Sequence, residues 1–493
     1  MAMLFCSFSF MAFFAVLLIV YWSIPWRRAR VWLLLIASFC FYATWNKWLA
    51  IIICVSTLVD YLLALGMEHS TVNWRRRLLL CVSLLANLGL LCYFKYANFF
   101  LMSMDELLIA AGSPTWFRSL EVLLPVGISF YTFEAINYMV DVYRRRIPAE
   151  RNLGDFMLFI LFFPHLVAGP IVRARDFLPQ IKRPKRCDWV RLHLGLQYFL
   201  MGLFKKLAIA DRMALFADPV FDHPLDYRTP AAWIAMFAYA LQVYCDFSGY
   251  TDMAIGTAHM LGYKLAENFN MPYLARNIAD FWNRWHISLS TWIRDYLFIP
   301  LGGSRGGEWK TCRNLLIAMT LCGLWHGAAW TYVGFGAIQG VMLITHRFFR
   351  RWCKTRPMLD RVLQSAPGTL FCIAFTFLSF CVSLVVFRSA SFGHAFDMYT
   401  RMLVQAPPWL QVLGPGGKLV DAPWGLRTPV PEFGFWLTAG VMLAAHILGR
   451  TAVWIRPTLR LSPSMLGFGY AVLFGMALLL APQGAKPFIY FQF

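Results

Sequence analysis

The 493-residue chain is 59% hydrophobic, 17% aromatic and only 14% charged, against about 25% charged in soluble globular domains; this excludes a soluble fold and indicates a polytopic membrane protein. The formal net charge of +20, from 45 Lys+Arg against 25 Asp+Glu, would point to nucleic acid in a soluble chain. Here the basic residues gather in short clusters between apolar runs, among them Arg27, Arg28 and Arg30, Arg75 to Arg77 and Arg144 to Arg146, a pattern the positive-inside rule produces without any nucleic-acid partner.

The first 26 residues carry no charge. They lack the basic segment that precedes the apolar core of a cleavable signal peptide, so a retained first helix with its N-terminus outside the cytoplasm is expected. A spanning helix needs about 20 mostly apolar residues, and the first candidates are Phe8 to Pro25, Val31 to Ala43, Leu49 to Gly66, Leu78 to Phe94 and Val122 to Val140. The run Phe156 to Val172 is interrupted by Pro164, Gly169 and Pro170. It reads either as a re-entrant element lining a cavity, with His165 on it, or as a proline-kinked span.

Leu194 to Phe216 is punctuated by Lys205, Lys206, Asp211 and Arg212 and reads as an interfacial or half-buried helix. Ala231 to Leu261 places Asp246 and Asp252 inside apolar sequence. Such carboxylates are functional or are paired, with Arg276, Arg284 or Arg294 as candidate partners. Thr369 to Phe387, Phe433 to Leu448 and Met465 to Leu480 read as further spans, Arg401 to Glu432 as a long proline- and glycine-rich loop, and the terminal KPFIYFQF as interfacial aromatics. The 12 cysteines show no CxxC and no Cys/His ligand spacing, so buried small hydrophobes, with no structural metal and no disulfide framework, are expected.

Residues 276–345 hold the chemistry-bearing constellation. Arg276 to Arg305 is too polar to span: Arg276, Asp280, Arg284, His286, Arg294, Asp295 and Arg305 interleave with Phe281, Trp282, Trp285, Trp292, Tyr296 and Phe298. A segment of this kind lies at an interface or plugs a funnel, and its charges suit a hydrophilic, anionic cofactor. The run Leu315 to Ile344 follows, carrying His326 between Trp325 and Trp330, with Gly323/Gly327 and Gly336/Gly340 each four apart, a spacing that lets helix backbones approach closely. His326 therefore faces a packed interior or a cavity. GGSRG at Gly302 to Gly306 matches GxSxG formally, but a nucleophile elbow needs a strand before it and a helix after it. A glycine turn, with Arg305 available to a phosphate, fits better. None of the ten histidines has an aspartate five residues on, which argues against HxxxxD acyltransferases.

In FWNRWHISLSTWIRDYLFIPLGGSR, LWHGAAWTYVGFGA, LPVGISFYTFEAINYMVDVYR, FPHLVAGPIVR and YCDFSGYTDMAIG the chain resembles the membrane-bound O-acyltransferase family, in the branch that modifies bacterial alginate and teichoic acid. The resemblance runs over nearly the whole chain, as one domain of residues 1–493. It implies an all-α polytopic fold, a ring of about eleven transmembrane helices with re-entrant or tilted helices around a central tunnel, set in the bacterial inner membrane. It also implies a catalytic histidine at His326 and a second functional one at His286. Many relatives carry another histidine where this chain has Gln339.

The expected mechanism has His326, a group titrating near neutrality, acting as general base on an acceptor hydroxyl that attacks an acyl thioester. The donor implied is acetyl-CoA, the acceptor a cell-surface polysaccharide, and the partners extracytoplasmic acetyl-transfer proteins. His286 or the Trp282, Trp285 and Trp325 indoles are candidate oxyanion donors. Arg305 and Arg313, with Arg294, Asp295, Trp285 and Trp325, are candidates for holding the donor. Competing readings are D-alanyl, lipid or protein acyl transfer by the same fold, a non-catalytic scaffold, and a transporter, which would show duplicated halves with paired broken helices.

Overall fold

The computed structural model describes residues 3–120, 122, 125–167, 169–404, 432–451 and 461–482. Among them every regular element is a helix and no strand occurs. All but a few residues of the predicted loop, and the terminal KPFIYFQF, lie outside the described residues. The chain divides into two units, Met1–Phe199 with Tyr250–Glu267, and Leu200–Gly249 with Asn268–Phe493.

The first unit begins with α1 (Phe8–Ser23), α2 (Arg27–Ala43), α3 (Lys47–His69) and α4 (Asn73–Leu91), the last running through a π-helical turn into α5 (Ala97–Ala110). Polar residues start two of these helices: the Ser7 side chain accepts from the Phe10 amide ahead of α1, and Asn46 from the amides of Trp48 and Leu49 ahead of α3, satisfying donors that a helix start leaves over. α3 and the continuous Asn73–Ala110 helix are long and apolar enough to cross a membrane, yet only 33% and 17% of their most apolar stretches are buried by protein. Lipid is the natural cover for the rest. Next come α6 (Ile128–Tyr143), α7 (Leu153–Leu161), α8 (Phe163–Leu166), α9 (Ala174–Lys182) and α10 (Trp189–Phe204).

The proline-interrupted run is two helices, α7 and α8, broken at Phe162, with Pro164 in the first turn of the second. His165 is fully buried there. Its Nδ1 lies 3.1 Å from Glu134 Oε1, and its ring packs against Phe162 and Phe177.

The second unit holds α11 (Asp211–Asp222), most of α12 (Thr229–Met260), α13 (Ile278–Trp282), α14 (Ile287–Ile293), α15 (Glu308–His326), α16 (Trp330–Lys354), α17 (Pro357–Gln364), α18 (Ala366–Arg388), α19 (Phe392–Leu403), α20 (Glu432–Thr451) and α21 (Pro463–Leu479). α18 and the Phe433–Thr451 part of α20 are again long and apolar enough to span.

Of the two readings of Leu194 to Phe216, interfacial or half-buried, the burial pattern agrees with the second: exposed and buried residues mix up to Phe204, and residues 206–211 are all buried. Lys206 is 1% exposed, in a π-helical segment, and its Nζ lies 2.8 Å from Asp211 Oδ1 and 2.6 Å from Asp246 Oδ1. The partner of Asp246 is thus Lys206, not an arginine of the 276–294 segment: Arg284 binds Asp280 and Arg294 binds Asp295. A carboxylate in apolar sequence needs a cation with its own hydrogen bonds satisfied, and the π-turn aims Lys206 between two of them.

Candidate functional site

His286 ends one short helical turn and begins another, between α13 and α14, with φ 43° and ψ 56°. Non-glycine residues rarely take this left-handed conformation, histidine more readily than most, and the surrounding chain must hold it. Asn268 does so: its carbonyl accepts from the Ile287 amide (2.9 Å) and its side chain from the Ser288 amide (3.1 Å), while the Asn270 amide donates to the Arg284 carbonyl (2.9 Å). The His286 ring is fully buried. It meets the Phe247 ring edge-on at 4.5 Å between centroids, and neither ring nitrogen has a hydrogen-bond partner among the described residues.

His326 is the last residue of α15. The Leu315 to Ile344 run is not one helix: it folds back after His326, Gly327 is extended (φ −166°), and α16 starts at Trp330. The expected pairing of Gly323 with Gly327 on one face is therefore corrected. Gly323 packs across the hairpin against Gly336 and the Tyr332 carbonyl, Gly336 against the Met319 carbonyl, and Gly340 against Leu316. His326 is 4% exposed, its ring 5.1 Å from that of Trp325 and 5.5 Å from that of Phe387. The Trp325 ring also lies 5.9 Å from His286. One indole thus touches both imidazoles, which stand 40 positions apart in sequence.

The remaining candidates divide. Trp285 is buried in an aromatic cluster with Phe269, Phe281 and Phe380, packed with rings on several sides. Trp282 gives its indole N–H to Gln339 Oε1 (3.3 Å), and Gln339 Nε2 donates to Ser383 Oγ (2.7 Å). Gln339 is fully buried and ties α13, α16 and α18 together. Arg294 is exposed and paired with Asp295.

Arg305 sits exposed in a loop whose Gly302, Gly303, Gly306 and Gly307 all have positive φ, a conformation that glycine adopts without strain. Asn314 fastens that loop by donating to the Gly303 carbonyl (3.0 Å), and exposed Arg313 donates to Asn314 Oδ1. Arg305 and Arg313 thus share one end of the α15–α16 hairpin. At 1.5 Å per residue, Arg313 is about 20 Å along α15 from His326. Phe247 lies in the YCDFSGYTDMAIG motif, but Asn268 and Phe387 carry no motif signal in the sequence, because each acts through a partner distant along the chain. No cluster able to hold a metal ion is found among the described residues.

The sequence profile of the membrane-bound O-acyltransferase family matches residues 145–387, a range that includes both histidines. The chain is 41% identical to a probable alginate O-acetylase of Azotobacter vinelandii, over 81% of this chain and 78% of that one. It is 35% identical to one from Pseudomonas fluorescens over the full length of both. A peptidoglycan O-acetyltransferase of Helicobacter pylori is 39% identical over 65% of this chain and 64% of its own. With an all-helical architecture and helices able to cross a bilayer, the chain belongs to the membrane-bound O-acyltransferase family and is an O-acyltransferase.

Proposed function

We propose that the protein transfers an acetyl group from a cytoplasmic thioester, acetyl-CoA, to hydroxyls of an exported cell-surface polysaccharide such as alginate, directly or through an extracytoplasmic partner. The acceptor class is supported by the names of the relatives at 35–41% identity. In this reading the helices form a ring of about eleven spans in the bacterial inner membrane, with the His286 and His326 segments inside it. The observation that carries the chemistry is the pair of buried imidazoles in contact with one tryptophan ring.

His326 takes the proton of the acceptor hydroxyl as its oxygen attacks the thioester carbonyl. Collapse of the tetrahedral intermediate expels the thiolate, and the protonated imidazole returns the proton to it, so the reaction balances without an added acid or base. His286, whose ring nitrogens have no hydrogen-bond partner among the described residues, serves as the donor aimed at the developing oxyanion. Arg305 and Arg313 hold the donor's phosphates, and its arm has to cover the roughly 20 Å along α15 to His326.

The test is the acetyl content of the surface polymer in cells lacking the protein and complemented with variants. His326→Ala is expected to lower acetylation at least 100-fold with membrane expression unchanged. His286→Ala is expected to cost about 100- to 1,000-fold. Full acetylation in His326→Ala cells overturns the assignment.

A further inference from the structure

The positive-inside rule assigns basic residues to one side of a membrane but does not pack them against one another. In the first unit, the turn at residues 261–263, just after α12, draws cations from three separate segments. Arg191, in the first turn of α10, donates from Nη1 to the Gly262 carbonyl (2.9 Å). Lys185, in the loop before α10, has its Nζ 4.3 Å from the centre of the Tyr263 ring. Arg30 of α2 donates from Nη1 to the Lys185 carbonyl (2.8 Å) and from Nε to the Ile24 carbonyl (2.6 Å), with its guanidinium over the Tyr21 and Trp22 rings. Trp22 in turn gives its indole N–H to the Met260 carbonyl (3.1 Å). Gly262 has a φ of 83°, and a Cβ there would stand 3.3 Å from Lys185 Cδ, so the turn seats the lysine stem closely.

Among the described residues, none of the three cations is paired with a carboxylate. Two carboxylates of the same unit are taken by other cations: Arg27 holds Asp155 (3.2 Å) and Lys182 holds Glu150 (2.6 Å). Asp188 is turned to the Val190 amide (2.9 Å), capping α10. Burial, and after it the charges of Arg191 and Arg183, push the Lys185 ammonium down to about 8. Like charges held together without a counter-ion repel one another, and a bound anion removes that cost.

We propose that Arg30, Lys185 and Arg191 bind the phosphate of an anionic phospholipid at the membrane surface. The cluster is open to such a ligand: Arg191 is exposed, and Arg30 and Lys185 are half-buried. Two observations select a lipid over a soluble phosphate compound such as the acyl donor. Trp26, four residues before Arg30, and Trp189, two before Arg191, are 72% and 83% exposed, and indoles of this kind settle at the level of lipid head groups. Val190 and Leu194, one turn apart on α10, are also uncovered, so an apolar strip leads away from the cluster along the helix, where acyl chains would lie. Basic pockets between helices at a membrane surface are suited to lipid head groups.

The full chain is reconstituted in vesicles of phosphatidylglycerol and phosphatidylcholine in equal parts, extracted in detergent and weighed by native mass spectrometry. Phosphatidylglycerol is expected to stay bound in preference to phosphatidylcholine. Lys185→Gln and Arg191→Gln should each lower the retained fraction about fivefold, the worth of one cation beside a lipid phosphate. Removing two exposed charges elsewhere in the unit, with Arg75→Gln and Arg77→Gln together, should leave it unchanged. Lys185→Arg keeps the charge and should keep the lipid, which separates a lost contact from a folding defect. Equal retention of the two lipids, retention unchanged by both glutamine variants, an equal loss in the Arg75 and Arg77 variant, loss of the lipid in Lys185→Arg, or displacement of the lipid by excess acetyl-CoA would overturn the proposal.

Discussion

The α15–α16 and α3–α4 pairs are both helical hairpins with three-residue connections, Gly327–Ala329 and Ser70–Val72, yet they are closed by different means. In the first, backbone meets backbone: Gly323, Gly336 and Gly340 let two helices approach until Cα atoms touch neighbouring main chain. Nothing in that interface can slide without a clash, so the turn that carries His326 is held in place. In the second, a carboxylate clamp of Asp60, Ser83 and Asn87 joins the helices at one level, and a groove remains beside it. Glycine contact fixes the position of the His326 turn, whereas a polar clamp joins two helices at one level and tolerates a gap beside it.

The contrast breaks most sharply at Gly323. A Cβ there would run into the Tyr332 carbonyl and stand 2.8 Å from the Gly336 Cα, atoms that cannot rotate away. Gly323→Ala is expected to destabilise the protein by about 1–3 kcal/mol and, by shifting His326 on the order of 1 Å, to lower acyl transfer about 100-fold. Thermal unfolding in detergent and polymer acetylation measure the two effects; a variant with normal activity would show that the hairpin contact does not position the histidine.

The matching change at Gly89 sharpens the comparison in the opposite direction. With open space around it and an ordinary helical φ, Gly89→Ala is expected to leave stability unchanged or raise it by about 0.4–1 kcal/mol. Destabilisation in the same melting assay would mean that α4 is covered more closely at that level.

The smallest effect is expected at the foot of the α15–α16 hairpin. Glu308, at the start of α15, accepts from Arg347 Nε (3.0 Å) and Nη2 (2.9 Å) and from Arg351. Those hydrogen bonds, Arg347 foremost, hold its carboxyl down at about 2, below the ordinary value near 4.3. A depressed carboxylate stabilises the fold above its unfolded value and loses that contribution as pH falls. Wild type should therefore lose melting temperature between about pH 4.3 and 2 more steeply than Glu308→Gln. Parallel curves for the two proteins would remove the ion pairs from the account.

Much of this could be read in the residues in order. Long apolar runs and the basic clusters between them indicated a helical membrane protein. His326 stood out because a titratable side chain in apolar sequence demands a partner or a purpose. The fold-back after His326 was hidden, because Gly327, Ala328 and Ala329 give no polar punctuation. The glycine spacing held for Gly336 and Gly340, both on α16 and both against α15, but not for Gly323 with Gly327: residues four apart share a helix face only while the helix lasts, and α15 ends before Gly327.

What the sequence determined by itself is whatever depends on local composition and period: where apolar helices run, which segments are too charged to span, and which histidines lie in apolar surroundings. Only the tertiary structure decided the pairings: Lys206 with Asp246, Asn268 strapping the His286 turn, Gln339 bridging Trp282 and Ser383, and Trp325 against both imidazoles. The physical reason is range. Helix formation is set by neighbours within about four residues, but a buried polar group takes whichever complement the folded chain brings within 3 Å, and that choice depends on every helix packed around it.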